Sequence, residues 1–442
     1  MHPKTLDDWL SWQLRVHPRE IELGLDRVGA VWKELGAPAP ANVVVTVGGT
    51  NGKGSTVAFL EAMLVAAGRS VGAFTSPHLL RYNERVRING TDATDAQLTT
   101  AFARIEQARR DIPLTYFEFG TLAALLIFAE NGLDAALLEV GLGGRLDAVN
   151  IIDADASIVT TVAIDHEDWL GNDREIIARE KAGIFRRGRP AIVGDPDPPA
   201  SLLAEARRIG SQLIVAGQDY RFGSVDSVWH WSMGATRLEL PPTALEAPCQ
   251  QANASAAVAA LHVLSDRLDW NPAAIKAGVA HAHATARLQR FNGPPELIVD
   301  VAHNPQASAV LAEWLAAHPP AGRNIAVFGA LADKDINGIV APLRDVIHAW
   351  HLAGLDTESL RGLDAATLAE RLANSRLPDT DARHPTVADA LSETLERAGP
   401  GDRIVAFGSF FVASAALRVA ASREMVASLQ TPSDSIPRLG QV

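Results

Sequence analysis

Residues Val43–Ser55 read VVVTVGGTNGKGS, an apolar run that breaks into glycines and ends on a lysine and a serine. The pattern predicts a buried strand, a tight loop and the first turn of a helix. Glycines let backbone N–H groups approach an anion, the helix N-terminus adds partial positive charge, and Lys53 adds a full one. The spacing is not the ordinary G-x-x-x-x-G-K-[ST], because Val47 stands at the first glycine position and Gly54 separates Lys53 from Ser55. We therefore expect a phosphate-binding loop of unusual form rather than a plain glycine-rich turn.

The composition favours a protein of two unequal domains whose partners are small molecules. A chain of 442 residues is too long for one hydrophobic core. The formal net charge of −12 argues against nucleic acid or an anionic membrane as the partner. Cys249 is the only cysteine, which excludes an intramolecular disulfide and a cysteine-based zinc site. Because the first residues lack a signal-peptide pattern and no long apolar run occurs, we expect a cytoplasmic protein without a membrane span.

Apolar strands alternate with helical segments along most of the chain. This alternation predicts an α/β fold with a mostly parallel sheet, whose ligands bind beyond the carboxyl ends of the strands. One strand is predicted over Ala156–Ile164, and Trp229 and Trp231 with neighbouring prolines indicate a small antiparallel addition. Polar clusters follow four predicted strands, at Thr75–His78, Glu139–Asp147, Asp165–His166 and Asp300–Pro305.

The segment Asn292–Pro295 reads NGPP and interrupts regular structure just before a new predicted strand. We therefore place a hinge at residues 288–295. Residues 1–287 then form the domain with the phosphate loop, and residues 296–430 form a smaller Rossmann-like domain. Residues 431–442 are polar, with scattered proline and serine, and we expect them to be disordered.

A nucleotide bound at the loop would bring Mg²⁺, which prefers hard oxygen ligands and keeps several waters. Ser76 and Glu139 are well placed to bind it, although Glu139 could instead be a buried acid paired with an arginine. The role of His166 is left open at this point: it could be a metal ligand or a hydrogen-bonded histidine at a strand end. Lys181 taken alone is typical of a surface cation on a helix. By analogy with ordinary phosphate loops, Ser55 would be a magnesium ligand.

Eight further patterns occur together in the chain. They are GGTNGKGS (Gly48–Ser55), TSPHL (Thr75–Leu79), YNERVRING (Tyr82–Gly90), TYFEFGT (Thr115–Thr121), EVGLGGRLDAVN (Glu139–Asn150), AIDHEDWLG (Ala163–Gly171), EKAGIF (Glu180–Phe185) and DVAHNP (Asp300–Pro305). With them the chain resembles the bacterial bifunctional dihydrofolate synthase/folylpolyglutamate synthase family of the Mur ligase superfamily, over nearly its whole length. The resemblance implies a Mur-ligase-like ATP-binding domain at residues 1–287 and a glutamate-ligase domain at residues 296–430.

The resemblance implies an enzyme that uses ATP to join L-glutamate to dihydropteroate, and further glutamates to the γ-carboxylate of tetrahydrofolate polyglutamates, through an acyl phosphate. The residues implied for ATP are Thr50, Asn51, Gly52 and Lys53, with Asn253, Arg287 and Asp300 completing the site across the domain interface. Two Mg²⁺ ions are implied, the first held by Ser76 and Glu139 and the second by His166, so that Ser55 supports the loop instead. Lys181 matches a lysine that CO₂ converts to a carbamate, and the resemblance leaves room for a monovalent cation.

The resemblance also implies where the two substrates to be joined are bound. The positions matching dihydropteroate-binding segments are Glu22, Leu23, Gly24, Thr115, Tyr116, Phe117, Glu118, Leu146, Asp147 and Ala148. Phe117 can stack on a flat pterin ring. His303 and Ser409 match residues that approach the incoming glutamate, and the catalytic set implied is Lys53, His166, Lys181 and His303. The family further implies a monomer.

One departure and two alternatives accompany this interpretation. The family usually has Pro-Gly before the arginine matched by Arg287, whereas Thr285 and Ala286 precede it here, and Arg290 is the alternative match. A cell-wall Mur ligase is disfavoured, because no additional substrate domain precedes the phosphate loop. A switch or transport ATPase would hydrolyse ATP without glutamate. The sequence leaves open the length of the glutamate chain, the preferred folate and whether both activities are retained.

Overall fold

The computed structural model describes residues 3–17, 19, 21–225, 228–380 and 382–427. The tail 431–442, for which disorder is expected, lies outside the described residues. Contacts divide the chain into two compact units. The first comprises Met1–Thr285, Asn304–Trp314 and Asp333–Asp335, and the second comprises Ala286–His303, Leu315–Ala332 and Ile336–Val442.

An eight-stranded sheet forms the centre of the first unit. Its strands in chain order are β1 (Ala41–Gly48), β2 (Val71–Phe74), β3 (Val86–Ile88), β4 (Thr91–Asp92), β5 (Leu133–Glu139), β6 (Ala156–Val159), β7 (Pro190–Val193) and β8 (Gln212–Val215). The spatial order is β4-β3-β2-β5-β1-β6-β7-β8. The strands from β2 across to β8 in this order are parallel, and β3 and β4 are antiparallel additions. The predicted mostly parallel α/β sheet is confirmed.

Helices pack against this sheet through two separate hydrophobic clusters. Alternate residues of β1 point to them in turn, because side chains alternate along a strand: Val44 belongs to one cluster, and Val43 and Val45 belong to the other. The helices of this part of the chain are α1 (Leu6–Val16), α2 (Asp26–Glu34), α3 (Lys53–Ala66), α4 (Asp95–Arg109), α5 (Tyr116–Asn131), α6 (Glu167–Leu170), α7 (Arg174–Ala182), α8 (Ala200–Ile209), α9 (Gln250–Val263), α10 (Ser265–Leu268) and α11 (Pro272–His281). Among the described residues, no helix is long and apolar enough to cross a membrane.

The small antiparallel addition is also present. It consists of β9 (Tyr220–Val225), β10 (Val228–Met233) and β11 (Thr236–Leu240), in the order β11-β10-β9. Trp229 and Trp231, the residues that indicated this sheet, are almost fully buried beside α9 and α11 residues.

A six-stranded sheet forms the second unit. Its strands are β12 (Gln289–Phe291), β13 (Glu296–Val299), β14 (Asn324–Phe328), β15 (Ala349–Ala353), β16 (Ala382–His384) and β17 (Arg403–Phe407), in the order β12-β13-β17-β14-β15-β16. All pairs are parallel except β12 with β13. The remaining helices are α12 (Pro305–Ala317), α13 (Ile336–Val340), α14 (Ala365–Leu372), α15 (Val387–Arg397) and α16 (Phe410–Ser422).

Two segments differ from their sequence-based prediction. The strand expected over Ala156–Ile164 ends at Val159, because the next residues turn their hydrogen bonds to the loop after β1 instead of to a neighbouring strand. Within the predicted hinge 288–295, residues Gln289–Phe291 form β12 and pair with β13. Alternation of apolar residues could not show either change, because both depend on partners distant in sequence.

Candidate active site

The loop between β1 and α3 lies at the carboxyl end of the central strands. Val47 pairs with Glu139 of β5, and Gly48 pairs with Val159 of β6, so three strand ends meet there. Gly49 has φ +143°, and a Cβ on it would lie 1.9 Å from Thr160 Oγ1. This backbone conformation and this close approach both require glycine.

Gly52 begins α3 and brings the loop against α9. Its φ is +87°, and a Cβ there would lie 2.3 Å from Asn253 Oδ1. Asn253 is buried and donates from Nδ2 to Gln250 Oε1 at 3.0 Å. The structure therefore places the predicted ATP residue Asn253 directly beside the predicted phosphate loop.

The loop is fixed by the segment that follows β6. The backbone N–H of Thr50 donates to Thr161 O at 2.7 Å, and the Thr50 hydroxyl donates to Ala163 O at 3.0 Å. The hydroxyl of Thr160 donates to Asn51 O at 2.6 Å. Sequence reasoning missed Thr160 and Thr161, because they were read as strand residues, although two threonines at the end of an apolar strand were a usable signal.

Two lysines meet at this loop. Lys53 Nζ donates to Gly49 O and Thr50 O, both at 3.1 Å, and Lys181 Nζ donates to the same Gly49 O at 3.0 Å. Lys181 is 4% exposed, so it is not the surface cation that its helix position alone suggested. The pKa of Lys181 is lowered to about 7, chiefly by burial and also by the charge of Lys53, while Asp165 and Asp147 oppose the shift.

Two of the predicted metal ligands, Ser76 and Glu139, lie together. The Ser76 backbone N–H donates to Glu139 Oε2 at 3.1 Å, and the Glu139 side chain is buried at the end of β5. Within the described part of the chain, no group of three or more His, Cys, Asp or Glu side chains could hold a metal ion. A hydroxyl and a carboxylate nevertheless fit Mg²⁺, which commonly takes one or two protein ligands and completes its shell with phosphate oxygens and waters.

His166, the third predicted ligand, starts α6 in a left-handed backbone conformation, with φ +55°. Its backbone N–H donates to Asp165 Oδ1 at 2.8 Å, and Asp165 is buried. Lys334 Nζ lies 2.5 Å from the same carboxylate oxygen, and Asn304 Nδ2 donates to the other at 3.1 Å. Lys334 and Asn304 are functional candidates that sequence reasoning missed, because they are far from Asp165 along the chain.

Asn304 also bonds the predicted ATP residue Asn51. Asn304 Nδ2 donates to Asn51 Oδ1 at 2.9 Å, and Asn51 Nδ2 donates to Gln306 Oε1 at 2.7 Å. All of these residues belong to the first unit. The phosphate loop and Asp165 are therefore joined through one side-chain network.

The three predicted dihydropteroate segments come together beside the loop. Gly24 N–H donates to Leu146 O at 3.2 Å, which joins the first segment to the third. Arg27 pairs with Glu22 at 2.6 Å and with Glu118 at 3.2 Å, which joins the first segment to the second. Arg27 was missed, because nothing in a helical sequence shows which acids an arginine reaches.

Residues of these segments also contact each other and the aromatic core. Thr115 caps α5, accepting from Glu118 N–H at 3.2 Å, and Tyr116 packs edge-on against Tyr82 at 5.5 Å. A Cβ on Gly141 would lie 2.7 Å from the Phe117 ring, so the ring covers the backbone after β5. Leu23 is half-buried between Glu22 and Gly24, and Ala148 is buried at the start of a 3₁₀ turn.

Asp147 is the residue of these segments whose charge interacts with those of Lys53 and Lys181. Its carboxylate accepts from the backbone N–H groups of Leu142 at 2.9 Å and Val149 at 3.1 Å. Burial nevertheless raises the pKa of Asp147 to about 6, while these hydrogen bonds and the charge of Lys53 act in the opposite direction. A buried acid whose pKa lies near neutral pH is typical of a functional site. This one lies between the predicted dihydropteroate segments, which bind the acceptor, and the phosphate loop.

The second unit brings together the other predicted residues. Asp300 is half-buried and accepts from Leu288 N–H and Ala302 N–H, both at 2.7 Å. Burial raises the pKa of Asp300, whereas the charge of Arg287 lowers it. The guanidinium of Arg287 lies 5.6 Å from the centre of the Phe410 ring, next to which Ser409 caps α16.

His303 belongs to the same group. Its Nδ1 donates to Val301 O at 2.7 Å, and its ring lies 5.7 Å from Phe410. Arg290, the alternative to Arg287, instead pairs with Glu296 on the neighbouring strand at 2.6 Å. The charge interaction with Asp300 and the position over the Phe410 ring favour Arg287 over Arg290 as the functional arginine.

Comparison with known proteins gives the same family as the motifs. The family model described as "Mur ligase middle domain" matches residues 47–222, and "Mur ligase, glutamate ligase domain" matches residues 286–410. Among curated proteins, the Dihydrofolate synthase/folylpolyglutamate synthase of Escherichia coli (strain K12) is 44% identical over 418 residues, covering 95% of this chain and 96% of that protein.

Solved structures agree. E. coli FolC in complex with DHPP and ADP matches with a TM-score of 0.89 and 43% identity, covering 95% of this chain and 99% of that one. A bifunctional folylpolyglutamate synthase/dihydrofolate synthase with Mn, AMPPNP and L-glutamate bound matches with a TM-score of 0.86 and 43% identity, covering 95% and 98%. The family expected from the eight motifs is confirmed: this chain belongs to the dihydrofolate synthase/folylpolyglutamate synthase family of Mur ligases.

Proposed function

We propose that this protein joins L-glutamate to dihydropteroate to form dihydrofolate, and adds further glutamates to the γ-carboxylate of tetrahydrofolate polyglutamates. ATP supplies the energy by transferring its γ-phosphoryl group to the acceptor carboxylate. The observation that carries the proposal is that Asp147, in the third dihydropteroate segment, lies close enough for its charge to interact with those of Lys53 and Lys181 at the phosphate loop.

The phosphate loop holds the nucleotide in this proposal. Thr50, Asn51, Gly52 and Lys53 surround the phosphates, and Asn253 supports Gly52 from α9. Lys53 offsets the negative charge that develops as the phosphoryl group moves. In the second unit we assign Arg287 and Asp300 to the nucleotide as well.

A divalent metal ion bound at Ser76 and Glu139, and a second at His166, would polarise the phosphoryl oxygens. Glu139 is suited to this role, since its carboxylate is held by Ser76 N–H at 3.1 Å and its burial strengthens electrostatic interactions. Asp165 fixes the backbone at His166 through its bond to the His166 N–H.

We further propose that Lys181 carries a carbamate. The ammonium first loses one proton; the neutral amine then adds to CO₂, a C–N bond forms and a second proton is released, so the side chain changes from a cation into an anion. The support is its burial and its pKa of about 7, because only the uncharged amine reacts. The anion would lie beside the metal and phosphate site, where a second ammonium next to Lys53 is unfavourable.

The acceptor and glutamate complete the proposed reaction. The pterin ring stacks on Phe117, within the segments of Glu22–Gly24, Thr115–Glu118 and Leu146–Ala148. The neutral amine of glutamate, positioned by His303 and Ser409, attacks the acyl phosphate carbon. The amide bond forms, inorganic phosphate leaves, and the amine loses one proton.

A product-resolved assay tests this function. The purified protein is given ATP and Mg²⁺ with dihydropteroate or a tetrahydrofolate monoglutamate, with and without glutamate. We expect dihydrofolate from the first acceptor, longer polyglutamates from the second, and ADP release that depends on glutamate. Equal ADP release without glutamate would point to a switch ATPase, and the absence of product with either acceptor would refute the proposal.

We also propose that the enzyme acts as a monomer in the cytoplasm. The single cysteine suits a reducing compartment, and the family resemblance favours a monomer. Light scattering coupled to size exclusion should give the mass of one chain, 47.1 kDa; twice that mass would contradict this part of the proposal.

A further inference from the structure

Arg27 lies on α2 and joins two acidic residues from different predicted acceptor segments. Arg27 Nη1 lies 2.6 Å from Glu22 Oε1, and Nη2 donates to the Glu22 carbonyl at 2.8 Å. Nη2 also lies 3.2 Å from Glu118 Oε1 at the start of α5. We call Arg27, Glu22 and Glu118 the acidic clamp.

We propose that Arg27 is a positioning residue that sets the shape of the dihydropteroate pocket and so makes the enzyme selective for this acceptor. The inference rests on the proposed function, because it takes the segments of Glu22–Gly24 and Thr115–Glu118 as the dihydropteroate-binding segments.

Glu118 connects Arg27 to the first turn of α5. Its side chain is 3% exposed, and its Oε2 accepts from Thr115 N–H at 2.7 Å in the capping box of the helix. Without Arg27 this carboxylate would remain buried without its cation, which costs considerably more than losing a surface ion pair. The first turn of α5, which carries Phe117, would then have to move.

Glu22 connects Arg27 to the first segment and, through Gly24, to the third. It is followed by Leu23 and Gly24, and Gly24 N–H donates to Leu146 O at 3.2 Å. Arg27 holds Glu22 through both its side chain and its carbonyl. One guanidinium therefore fixes the relative positions of all three segments.

Arg27 itself acts through position and not by contact with dihydropteroate. Arg27 Nε and Glu118 Oε1 are inaccessible to solvent; Glu118 Oε1 makes the ion pair with Arg27 Nη2, and Arg27 Nε has no hydrogen-bond partner among the described residues. The phosphate loop is held by other residues, namely Thr160, Thr161 and Asn253. Loss of Arg27 should therefore disturb the acceptor pocket and leave the nucleotide site intact.

Arg109 provides a matched control. It is a similarly buried arginine in the helices of the same unit, pairs with Glu106 at 2.6 Å, and covers the Trp12 ring at 4.9 Å. Its contacts with Glu106, Ile112 and Trp12 involve none of the acceptor segments. Arg109→Ala thus measures what is lost when a buried arginine of this layer is removed for purely structural reasons.

The experiment compares Arg27→Ala, Arg27→Lys and Arg109→Ala with the wild type, using KM for dihydropteroate, a tetrahydrofolate and ATP, together with the melting temperature. For Arg27→Ala we expect the dihydropteroate KM to rise about tenfold or more, the loss expected for about 1.4 kcal/mol. The tetrahydrofolate and ATP KM values should change less than about twofold, well below that loss. Arg27→Lys should recover part of the affinity, because an ammonium can pair with only one acid at this geometry.

The outcomes separate the inference from the proposed function. If Arg27→Ala lowers the melting temperature as Arg109→Ala does but leaves the dihydropteroate KM unchanged, Arg27 is merely structural and the inference is wrong. An equal rise in KM for both acceptors would refute the selectivity. If Arg27→Ala does not fold, Arg27→Lys decides in the same way. A wild type that makes no dihydrofolate refutes the proposed function itself.

Discussion

Two ammonium groups, those of Lys53 and Lys181, are held by the carbonyl oxygen of Gly49, at 3.1 and 3.0 Å. The two positive charges disfavour each other, and burial disfavours the charged form of Lys181 in particular. In the proposed function, Lys53 is therefore the cation that binds the phosphates, and Lys181 is the amine that reacts with CO₂.

The first prediction concerns the carbamate on Lys181. With a pKa of about 7, roughly half of the Lys181 amines are neutral at neutral pH, against about one in 2,500 for an ordinary lysine. Because protonation blocks the reaction with CO₂, the carbamate should increase as the pH rises through about 7. Carbon NMR with ¹³C-bicarbonate should show a carbamate signal in the wild type and none in Lys181→Ala.

The control for this measurement is Lys276→Ala, which removes an exposed lysine of α11 and should leave the signal unchanged. Activity of Lys181→Ala should be recovered in part by small carboxylic acids that supply the missing anion. A Lys181→Ala enzyme with unimpaired activity would remove Lys181 from the mechanism.

The second prediction concerns Lys53, whose ammonium donates to Gly49 O and Thr50 O. Lys53→Ala should lower kcat by roughly 10²- to 10³-fold, as expected when one electrostatic contact to the transition state is lost. The melting temperature should change little, since Lys53 is half-buried rather than part of the hydrophobic core. Near-normal turnover would discredit the loop as the phosphate site.

At this scale, residues with local signals were predictable and residues with distant partners were not. Lys53 could be assigned because glycines surround it in sequence. Lys181 needed the family resemblance, because a helical lysine gives no sign that it is 4% exposed. Arg27 and Lys334 gave no signal at all, because their acids lie in segments that only the fold brings near them.

Among the elements, the β3–β4 hairpin turns at Asn89 and Gly90, which both have positive φ, +51° and +77°. Asn-Gly is the preferred pair for such a turn. A Cβ on Gly90 meets nothing within 4 Å, and the same holds for Gly29 in the middle of α2, whose φ is not in the left-handed range. Both glycines therefore have room for a Cβ, and they differ in backbone conformation.

This pair gives the third prediction. Gly90→Ala should lower the free energy of unfolding by about 1–2 kcal/mol, because alanine pays for the left-handed conformation. Gly29→Ala should raise it by about 0.5–1 kcal/mol, because alanine is the better helix former. Urea unfolding of both variants tests the signs; a stabilised Gly90→Ala would show that the turn does not have this geometry.

Strands β15 and β16 carry a stacked histidine pair. The rings of His351 and His384 are 5.1 Å apart and nearly parallel, and His351 Nδ1 lies 3.0 Å from His384 Nε2. Burial lowers the pKa of His351 and the charge of His384 lowers it further, whereas Glu393 and Asp379 raise it and Arg397 lowers it.

The fourth prediction is a loss of stability in acid. Because the folded pKa of His351 is lowered, the unfolded chain binds the proton more readily. The contribution of neutral His351 to the stability of the fold is complete above the pKa of histidine in the unfolded chain, about 6.5. It is lost as the pH falls below that pKa. In His351→Phe the melting temperature should depend less steeply on pH between about pH 6.5 and 5, the range below the pKa of histidine in the unfolded chain. The exposed control His281→Gln should not, and an unchanged slope in His351→Phe would contradict this account.

The limits of prediction at this scale are seen in two elements. The strand over Ala156–Ile164 was predicted too long, because its apolar residues continue past the point where the chain leaves the sheet to bond Thr50 and Asn51. The linker 288–295 contains β12, whose partner β13 could not be inferred from NGPP. Helix α5 was predictable at its start, because Thr115 and Glu118 form a capping box with a sequence signature.

For the whole molecule, alternation of strands and helices was enough to predict an α/β fold with a mostly parallel sheet. The order of strands was not predictable, since β1 lies between β5 and β6 only because of long crossovers. The link from Asn51 to Asn304 spans 253 residues of sequence and is invisible to local patterns. The fold brings the residues of the site together from distant parts of the chain. Each motif shows only some of these residues and not their arrangement.

The central claim is that ATP activates the carboxylate of the acceptor, and the fate of that carboxylate's oxygen tests it most directly. Dihydropteroate labelled with ¹⁸O in its carboxylate is incubated with the enzyme, ATP, Mg²⁺ and glutamate, and the inorganic phosphate is analysed by mass spectrometry. The account predicts one ¹⁸O atom in each phosphate released with dihydrofolate, because the oxygen that accepts the phosphoryl group leaves with it. Dihydrofolate formed together with unlabelled phosphate would contradict the acyl phosphate and the account built on it.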